Sequence, residues 1–193
     1  ASFLFMRISS PAIGAINTAF FRVFFGLIGL AAIIFFIRKS LDYKEKLGKT
    51  LILGTINSGI PFLMYSIAAS FIPAGYSAIL NATTPLMGAM IGFFIFSEHL
   101  TIKKWLGVML GIIGITVITT VGESHVVGNV IIGVIACIIA TIGYGFAGFL
   151  TRKWITQQGG LDPTLVAFGS QIGATIFLTP FLLWNLSSSP NID

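Results

Sequence analysis

Uninterrupted apolar runs of about twenty residues dominate this sequence, and that is the length of helix that crosses a bilayer. The chain has 193 residues, of which 55% are hydrophobic and 9% are charged. A soluble domain has about 25% charged residues, so this chain has too little polar surface to face water on all sides. The sequence therefore predicts an all-α fold, a polytopic transmembrane helical bundle.

Six segments reach the spanning length, and an apolar stretch before them is expected to be the tail of a seventh helix. The predicted spans are residues 12–37, 48–71, 74–96, 104–121, 128–150 and 163–184, and the tail is residues 2–8. Proline and glycine punctuate the breaks at 9–11, 72–75 and 159–163. We expect about seven spans, with the first one incomplete.

Basic residues are concentrated in alternate loops. The loops at 38–49, 97–104 and 151–162 hold nine of the eleven Lys and Arg residues, whereas the opposite loops hold none. Because Lys-rich and Arg-rich loops normally stay on the cytoplasmic side, we expect these three loops to be cytoplasmic, in a bacterial inner (plasma) membrane. The net charge of +5 is thus explained by topology, and no basic stripe for nucleic acid is present.

Helices three to five carry a set of ordered motifs. They are Ala-Ala-Ser-Phe-Ile-Pro-Ala-Gly at 68–75, Asn-Ala-Thr-Thr-Pro-Leu at 81–86, Phe-Ser-Glu-His-Leu-Thr at 96–101, and a glycine-spaced helix from Gly107 to Gly114. In these motifs the chain resembles the EamA family of the drug/metabolite transporter superfamily. The resemblance implies a ten-helix transporter built from two five-helix halves.

On that resemblance, residues 1–122 form the first five-helix repeat and residues 123–193 form helices six and seven, the start of the second. Helices eight to ten are then absent from the chain. Five spans is an odd number, so a second copy of the unit enters the membrane from the opposite side and makes an inverted repeat.

Arg22 is the clearest candidate for binding a substrate. It lies about 15 Å along its helix, and no Asp or Glu lies in any span to neutralise it. Ionisable groups within a membrane are usually functional, and this one would bind a carboxylate or phosphate. Snorkelling of the side chain to the headgroups is an equally weighted interpretation.

Uncharged polar residues near mid-span form a second candidate set. It comprises Asn57, Tyr65, Asn81, Thr83, Thr84, Tyr144 and Gln171. These side chains either line a polar cavity or hold helices together by hydrogen bonds. Pro85 removes a backbone donor from the fourth helix, so a carbonyl near Asn81 either turns towards a cavity or marks a packing kink.

Two further features have architectural interpretations. Glu98, beside His99 at the cytoplasmic end of the fourth helix, is either a gate residue or a solvated helix end. The glycine pairs Gly88/Gly92, Gly107/Gly111 and Gly169/Gly173 have the four-residue spacing that permits close helix contact.

No enzyme motif is visible, because Gly-x-Ser-x-Gly and His-Glu-x-x-His are both absent. The lone Cys137 lies in an apolar run, so neither a disulfide nor a metal site is expected, and no cofactor is implied. The absence of any Asp or Glu from the spans indicates an exchanger or facilitator, unless the missing helices supply the coupling group.

The sequence therefore predicts a secondary transporter or exchanger that moves small polar organic metabolites by alternating access. Its partners would be the lipid bilayer and the metabolite, and the sequence specifies no oligomeric state. The alternative is a non-transporting membrane scaffold or subunit.

Overall fold

The computed structural model describes residues 2–97, 99, 101–121 and 130–188, and all regular secondary structure in these ranges is helical. The helices are α1 (Ser2–Ile13), α2 (Ala15–Phe36), α3 (Leu47–Gly54), α4 (Ile60–Phe71), α5 (Ala74–Asn81), α6 (Thr84–Phe94), α7 (Ile102–Val121), α8 (Val130–Trp154) and α9 (Pro163–Ser188). A π-helical turn, Thr55–Gly59, joins α3 to α4 without interrupting the helical path.

Five helical stretches are long and apolar enough to cross a membrane. They are Ala15–Phe36, Leu47–Phe71, Ala74–Phe94, Val130–Gln158 and Pro163–Ser187, and each overlaps a predicted span. Helix α8 continues to Trp154, so Arg152 and Lys153 lie in its last turn and not in the predicted loop 151–162. The remaining predicted span, 104–121, lies within the 20-residue helix α7. The predicted polytopic helical fold is confirmed.

The break between the first two helices does not lie where the sequence predicts it. Pro11 is inside α1, so the expected break at 9–11 is wrong. The chain turns instead at Gly14, whose φ of 87° and ψ of 154° suit glycine and almost no other residue. Pro11 has no N–H to donate to the Arg7 carbonyl four residues earlier, so it removes one hydrogen bond from α1 without ending the helix.

Helix α4 lies at the centre of the bundle and packs against α8, α2 and α1, while α9 packs against α2 and α3. One core cluster joins α1, α4, α5 and α8 around Met6, Tyr65 and Cys137. A second cluster joins α2, α4 and α9 around Val23 and Leu178. Large apolar side chains such as Phe25 and Trp184 are exposed, as expected for surfaces that face lipid.

Three glycines bring α3 and α9 into backbone contact, and we call Gly54, Gly169 and Gly173 the glycine seam. A Cβ atom on Gly54 would lie 1.9 Å from the carbonyl oxygen of Ser170, and one on Gly173 would lie 2.0 Å from that of Leu51. A Cβ atom on Gly169 would be 2.2 Å from the Thr50 hydroxyl. The predicted close contact through Gly169 and Gly173 is therefore confirmed.

Two of the basic loops meet at the same end of the bundle. Lys39 forms an ion pair with Asp162 at 2.5 Å, which lowers the pKa of that carboxyl. The buried ammonium of Lys46 donates to the backbone carbonyls of Gln158 and Gly160, at 2.5 and 2.7 Å. These contacts agree with the loop pairing that the charge partition predicts.

The third basic loop begins at this end too. The rings of Phe96 and Phe149 stack with centroids 4.7 Å apart, which brings the residues after α6 beside the last turns of α8.

Candidate functional site

The span from Ala74 to Phe94 is broken at its centre. Helix α5 ends at Asn81 and α6 begins at Thr84, with Pro85 in its first turn. Pro85 has no N–H to donate to the Asn81 carbonyl four residues earlier. The Thr84 hydroxyl donates to that carbonyl instead, at 2.7 Å, so it is satisfied within the chain.

A second hydroxyl stabilises the same break. Thr83 Oγ1 donates to the carbonyl of Leu80 at 2.7 Å, and that carbonyl also accepts from the Thr83 N–H at 3.1 Å. Both threonines of the Thr-Thr-Pro motif therefore bond to backbone at the break. The sequence left two roles open for the freed carbonyl near Asn81, and in the structure it serves the local break.

Tyr65 connects the break to the centre of the bundle. Its hydroxyl donates to the side-chain oxygen of Asn81 at 2.8 Å, and its ring lies 6.3 Å from that of Tyr144 in a stacked arrangement. The ring of Phe3 meets Tyr65 edge-on at 5.1 Å. Tyr65 is only 2% exposed, so this hydrogen bond is held away from solvent and lipid.

The Arg22 side chain points towards other helices. Its guanidinium lies 4.1 Å from the centre of the Phe62 ring and donates to the hydroxyl of Ser2. It is also close enough to Tyr144 for an electrostatic interaction. A cation over an aromatic face is stabilised by the ring quadrupole, which favours the inward position over extension to the headgroups.

The structure thus brings five of the candidate residues together, and we call Arg22, Tyr65, Asn81, Thr84 and Tyr144 the polar cluster. They come from α2, α4, α5, α6 and α8. Their proximity depends on α4 lying between α2 and α8, which no local sequence pattern specifies.

A cavity of about 240 Å³ lies beside this cluster, between α6 and α8. Its lining consists of Thr84, Gly88, Tyr144, Gly145, Gly148, Phe149 and Arg152. A Cβ atom on Gly88 or Gly148 would meet nothing within 4 Å, so these two glycines leave the space open. We refer to it as the α6–α8 cavity.

Sequence reasoning treated Arg152 only as a topology signal, although it lines this cavity. Its guanidinium lies 5.3 Å from the ring of Phe149. Tyr144, Gly148 and Arg152 are spaced by four residues, so they follow one face of α8. That spacing, read together with Thr84 and Gly88 on α6, is the signal that identifies the lining.

Two candidates lie outside the polar cluster. Asn57 is exposed on the π-helical turn, a feature that is often found at functional sites. Gln171 packs beside Gly26 of α2, and its side-chain oxygen is buried without a hydrogen-bond partner among the described residues. Glu98 lies outside the residues that the structure describes.

The chain is similar to one known protein family and to several curated proteins. The sequence model of the EamA-like transporter family matches residues 1–120. Protein PecM of Dickeya dadantii (strain 3937) is 27% identical over 148 residues, covering 77% of this chain and 49% of that protein. The uncharacterized transporter YdfC of Bacillus subtilis (strain 168) is 24% identical over 159 residues, covering 78% of this chain and 52% of that protein.

A further relative is also matched over about half of its length. The uncharacterized transporter YoaV of Bacillus subtilis (strain 168) is 22% identical over 132 residues, covering 68% of this chain and 45% of that protein. The chain therefore spans about half the length of the curated relatives that it matches.

Proposed function

We propose that this chain, which belongs to the EamA-like transporter family, is part of a secondary transporter or exchanger that moves small polar organic metabolites by alternating access. The observation that carries the proposal is the broken helix at Asn81–Thr84, which lies against a cavity between α6 and α8. Interrupted helices beside a cavity near mid-membrane are how many transporters build a substrate site.

Two repeats account for the arrangement of the helices. We propose that residues 1–122 form the first repeat and residues 123–193 begin the second. The end of the family match at residue 120 supports this division. Helices α8 and α9, from the proposed second repeat, pack against α3, α4 and α6 of the first, so substrate would pass between the repeats.

We propose that the basic loops face the cytoplasm of a bacterial cell. The contacts between loops 38–49 and 151–162 support their common side, and the positive-inside rule supports the assignment of that side to the cytoplasm. The relatives compared above come from bacteria, which supports the plasma membrane as the location.

Within the site, the polar cluster would supply the contacts that recognise substrate. Thr84 and Tyr144 line the cavity and offer hydroxyl groups. Arg22 would attract an anionic group, because it is the cation within the polar cluster and the spans contain no carboxylate to neutralise it. The cavity volume, about 240 Å³, lies just below the range of roughly 300–1,000 Å³ for ligand pockets and therefore suits a small metabolite.

Uptake into liposomes by the full-length protein tests the proposal, with Arg22→Ala compared with Arg22→Lys. We expect Arg22→Ala to reduce saturable uptake of an anionic substrate more than Arg22→Lys does, because the lysine retains the charge. Full activity of both variants would show that Arg22 has no role in binding. Absence of saturable flux across a metabolite screen would count against transport itself.

Cysteine labelling separates a carrier from a non-transporting scaffold. In a Cys137→Ala background, single cysteines at Asn57, Asn81 and Tyr144 are exposed to a membrane-impermeant thiol reagent, and a cysteine at the exposed Phe35 is the control. A carrier predicts aqueous labelling at Asn81 and Tyr144 that substrate reduces. A scaffold predicts that these two positions stay unlabelled.

A further inference from the structure

A second cavity lies at the basic end of α2, and no residue of the polar cluster lines it. It has a volume of about 770 Å³, within the range of roughly 300–1,000 Å³ typical of ligand pockets. Its lining consists of Ala31, Ile34, Phe35, Phe36, Arg38, Lys39, Leu41 and Phe168. Apolar side chains form most of this wall, and both polar residues, Arg38 and Lys39, are cationic. We call it the Arg38 groove.

The groove is located where a bilayer changes from hydrocarbon to headgroups. Helix α2 has 22 residues, which is about 33 Å of helix and sufficient to cross the hydrocarbon. Arg38 follows directly after its end, so the two cations lie at the headgroup level while Ala31 and Ile34 lie deeper. The groove therefore matches the polarity of a phospholipid: its deeper wall is apolar, like an acyl chain, and its end at the headgroup level is charged.

The backbone presents Arg38 in an uncommon conformation. The N–H of Arg38 donates to Phe35 and that of Lys39 donates to Ile34, both at 3.1 Å, which is the Schellman arrangement at a helix end. The position that Arg38 occupies has φ of 50° and normally holds glycine. A long cationic side chain at this position is conformationally unfavourable, and such outliers cluster at binding sites.

The charges in the groove are suited to an anion. Among the described residues, the Arg38 guanidinium has no hydrogen-bond or ion-pair partner. Lys39 is paired with Asp162, but an ammonium has three donors, and this pair engages one of them. Basic pockets between helices on the cytoplasmic side are typical binding places for anionic lipid headgroups.

We propose that the Arg38 groove binds an anionic phospholipid, with its phosphate at Arg38 and Lys39 and one acyl chain between α2 and Phe168. This site is independent of the proposed transport activity. It would hold a lipid at the loop that joins α2 to α3, which is also the loop that contacts Asp162.

Native mass spectrometry of the purified full-length protein tests the charge requirement. Phosphatidylglycerol and phosphatidylcholine with identical acyl chains are compared as probes. Arg38→Gly is expected to lower phosphatidylglycerol occupancy about five-fold, the ratio that corresponds to one basic side chain near an anionic surface. Phosphatidylcholine occupancy should change little. The control Lys153→Ala, which removes a cation at the same end of the bundle, should retain binding.

The Arg38→Gly variant also separates lipid binding from folding. Glycine suits the backbone at this position, so its melting temperature without lipid should equal or exceed that of the wild type. Phosphatidylglycerol should raise the melting temperature of the wild type more than that of the variant. The proposal would be overturned if the variant melted at a lower temperature than the wild type without lipid and phosphatidylglycerol still raised its melting temperature as much.

The apolar wall is tested by filling it. Ala31→Trp places a large ring in the groove, whereas Ala32→Trp adds the same ring to the next exposed residue, which does not line it. We expect Ala31→Trp alone to lower phosphatidylglycerol occupancy.

Inorganic phosphate should not displace the lipid, since it has no acyl chain. Equal occupancy in both tryptophan variants, or displacement by phosphate, would overturn the proposal. A fall in melting temperature for Ala31→Trp with unchanged lipid adducts would also overturn it, because another helix would then occupy the groove.

Discussion

The glycine seam and the α6–α8 cavity are both interfaces between the proposed first repeat and the start of the second, yet glycines have different surroundings in the two. At the seam, the backbones of α3 and α9 are so close that a single added Cβ atom would lie about 2 Å from a carbonyl oxygen. At the cavity, Gly88 and Gly148 have nothing within 4 Å of where a Cβ atom would be, and only Gly145 is in close contact, since its Cβ atom would lie 3.1 Å from the Gly88 nitrogen. Glycine therefore permits backbone contact at the seam and leaves unfilled space at the cavity.

The difference suggests how the two interfaces divide their roles. Backbone contact at the seam leaves no space for a side chain between α3 and α9. The cavity, in contrast, has open space next to the interrupted helix and the polar cluster. If the proposed carrier rocks, we expect α6 to move relative to α8 while α3 and α9 move together.

The largest expected effect is a loss of stability when the seam receives a methyl group. Gly173→Ala forces the Cβ atom against the carbonyl of Leu51, and overpacking of a tight interface costs about 3 kcal/mol or more when backbone must move. Unfolding of the full-length protein in detergent micelles measures this loss. Gly29→Ala in α2, where a Cβ atom would meet nothing within 4 Å, is the matched control.

An intermediate effect is expected at the broken helix. Thr84→Val keeps the shape of the side chain but removes the hydroxyl that satisfies the Asn81 carbonyl, which costs about 1–3 kcal/mol when the acceptor is buried. Thr84→Ser retains the hydroxyl and should lose much less. If valine and serine were equally stable in the same unfolding experiment, the hydrogen bond would not stabilise the break.

A smaller effect on stability, with a measurable effect on uptake, is expected in the cavity. Gly148→Ala adds a methyl group to open space and, as alanine favours helix over glycine, should stabilise α8 by up to about 1 kcal/mol. It also narrows the space beside Tyr144, so liposome uptake should fall while stability is kept. Unchanged uptake would indicate that substrate does not enter this cavity.

The smallest effect is expected from the loop ion pair. Lys39 lowers the pKa of Asp162 in the folded protein, so the pair contributes stability above the ordinary carboxyl value of 3.8 and loses it as the pH falls through the lowered pKa. Because the carboxyl is exposed, the contribution is small. Asp162→Asn should abolish the part of the acid sensitivity that this pair causes, as measured by melting between pH 7 and pH 3 in detergent.

The fold was largely predictable because a bilayer imposes a strict length on each helix. Five spanning stretches agree with predicted spans, and the basic loops at 38–49 and 151–162 meet as their charge predicts. The break at 9–11 was predicted wrongly because proline punctuates helices only on average. It was Gly14, with its left-handed φ, that ended α1.

The candidate site was predictable as a set of residue types, but not as an arrangement. Polarity within an apolar span identified Arg22, Tyr65, Asn81, Thr84 and Tyr144, and the structure brings these five together. Asn57 and Gln171 carry the same polarity and lie elsewhere. Sequence cannot distinguish these groups, because the helix face that a residue occupies says nothing about which helix lies opposite.

The sequence by itself therefore determined that the chain crosses a membrane as helices, and which loops share a side, since both depend on local hydrophobicity and charge. Only the tertiary structure decided which glycines close an interface and which leave a cavity, and which polar residues meet. Those outcomes depend on the contacts that α8 and α9 make with helices of the proposed first repeat, and such contacts between distant parts of the chain leave no local pattern.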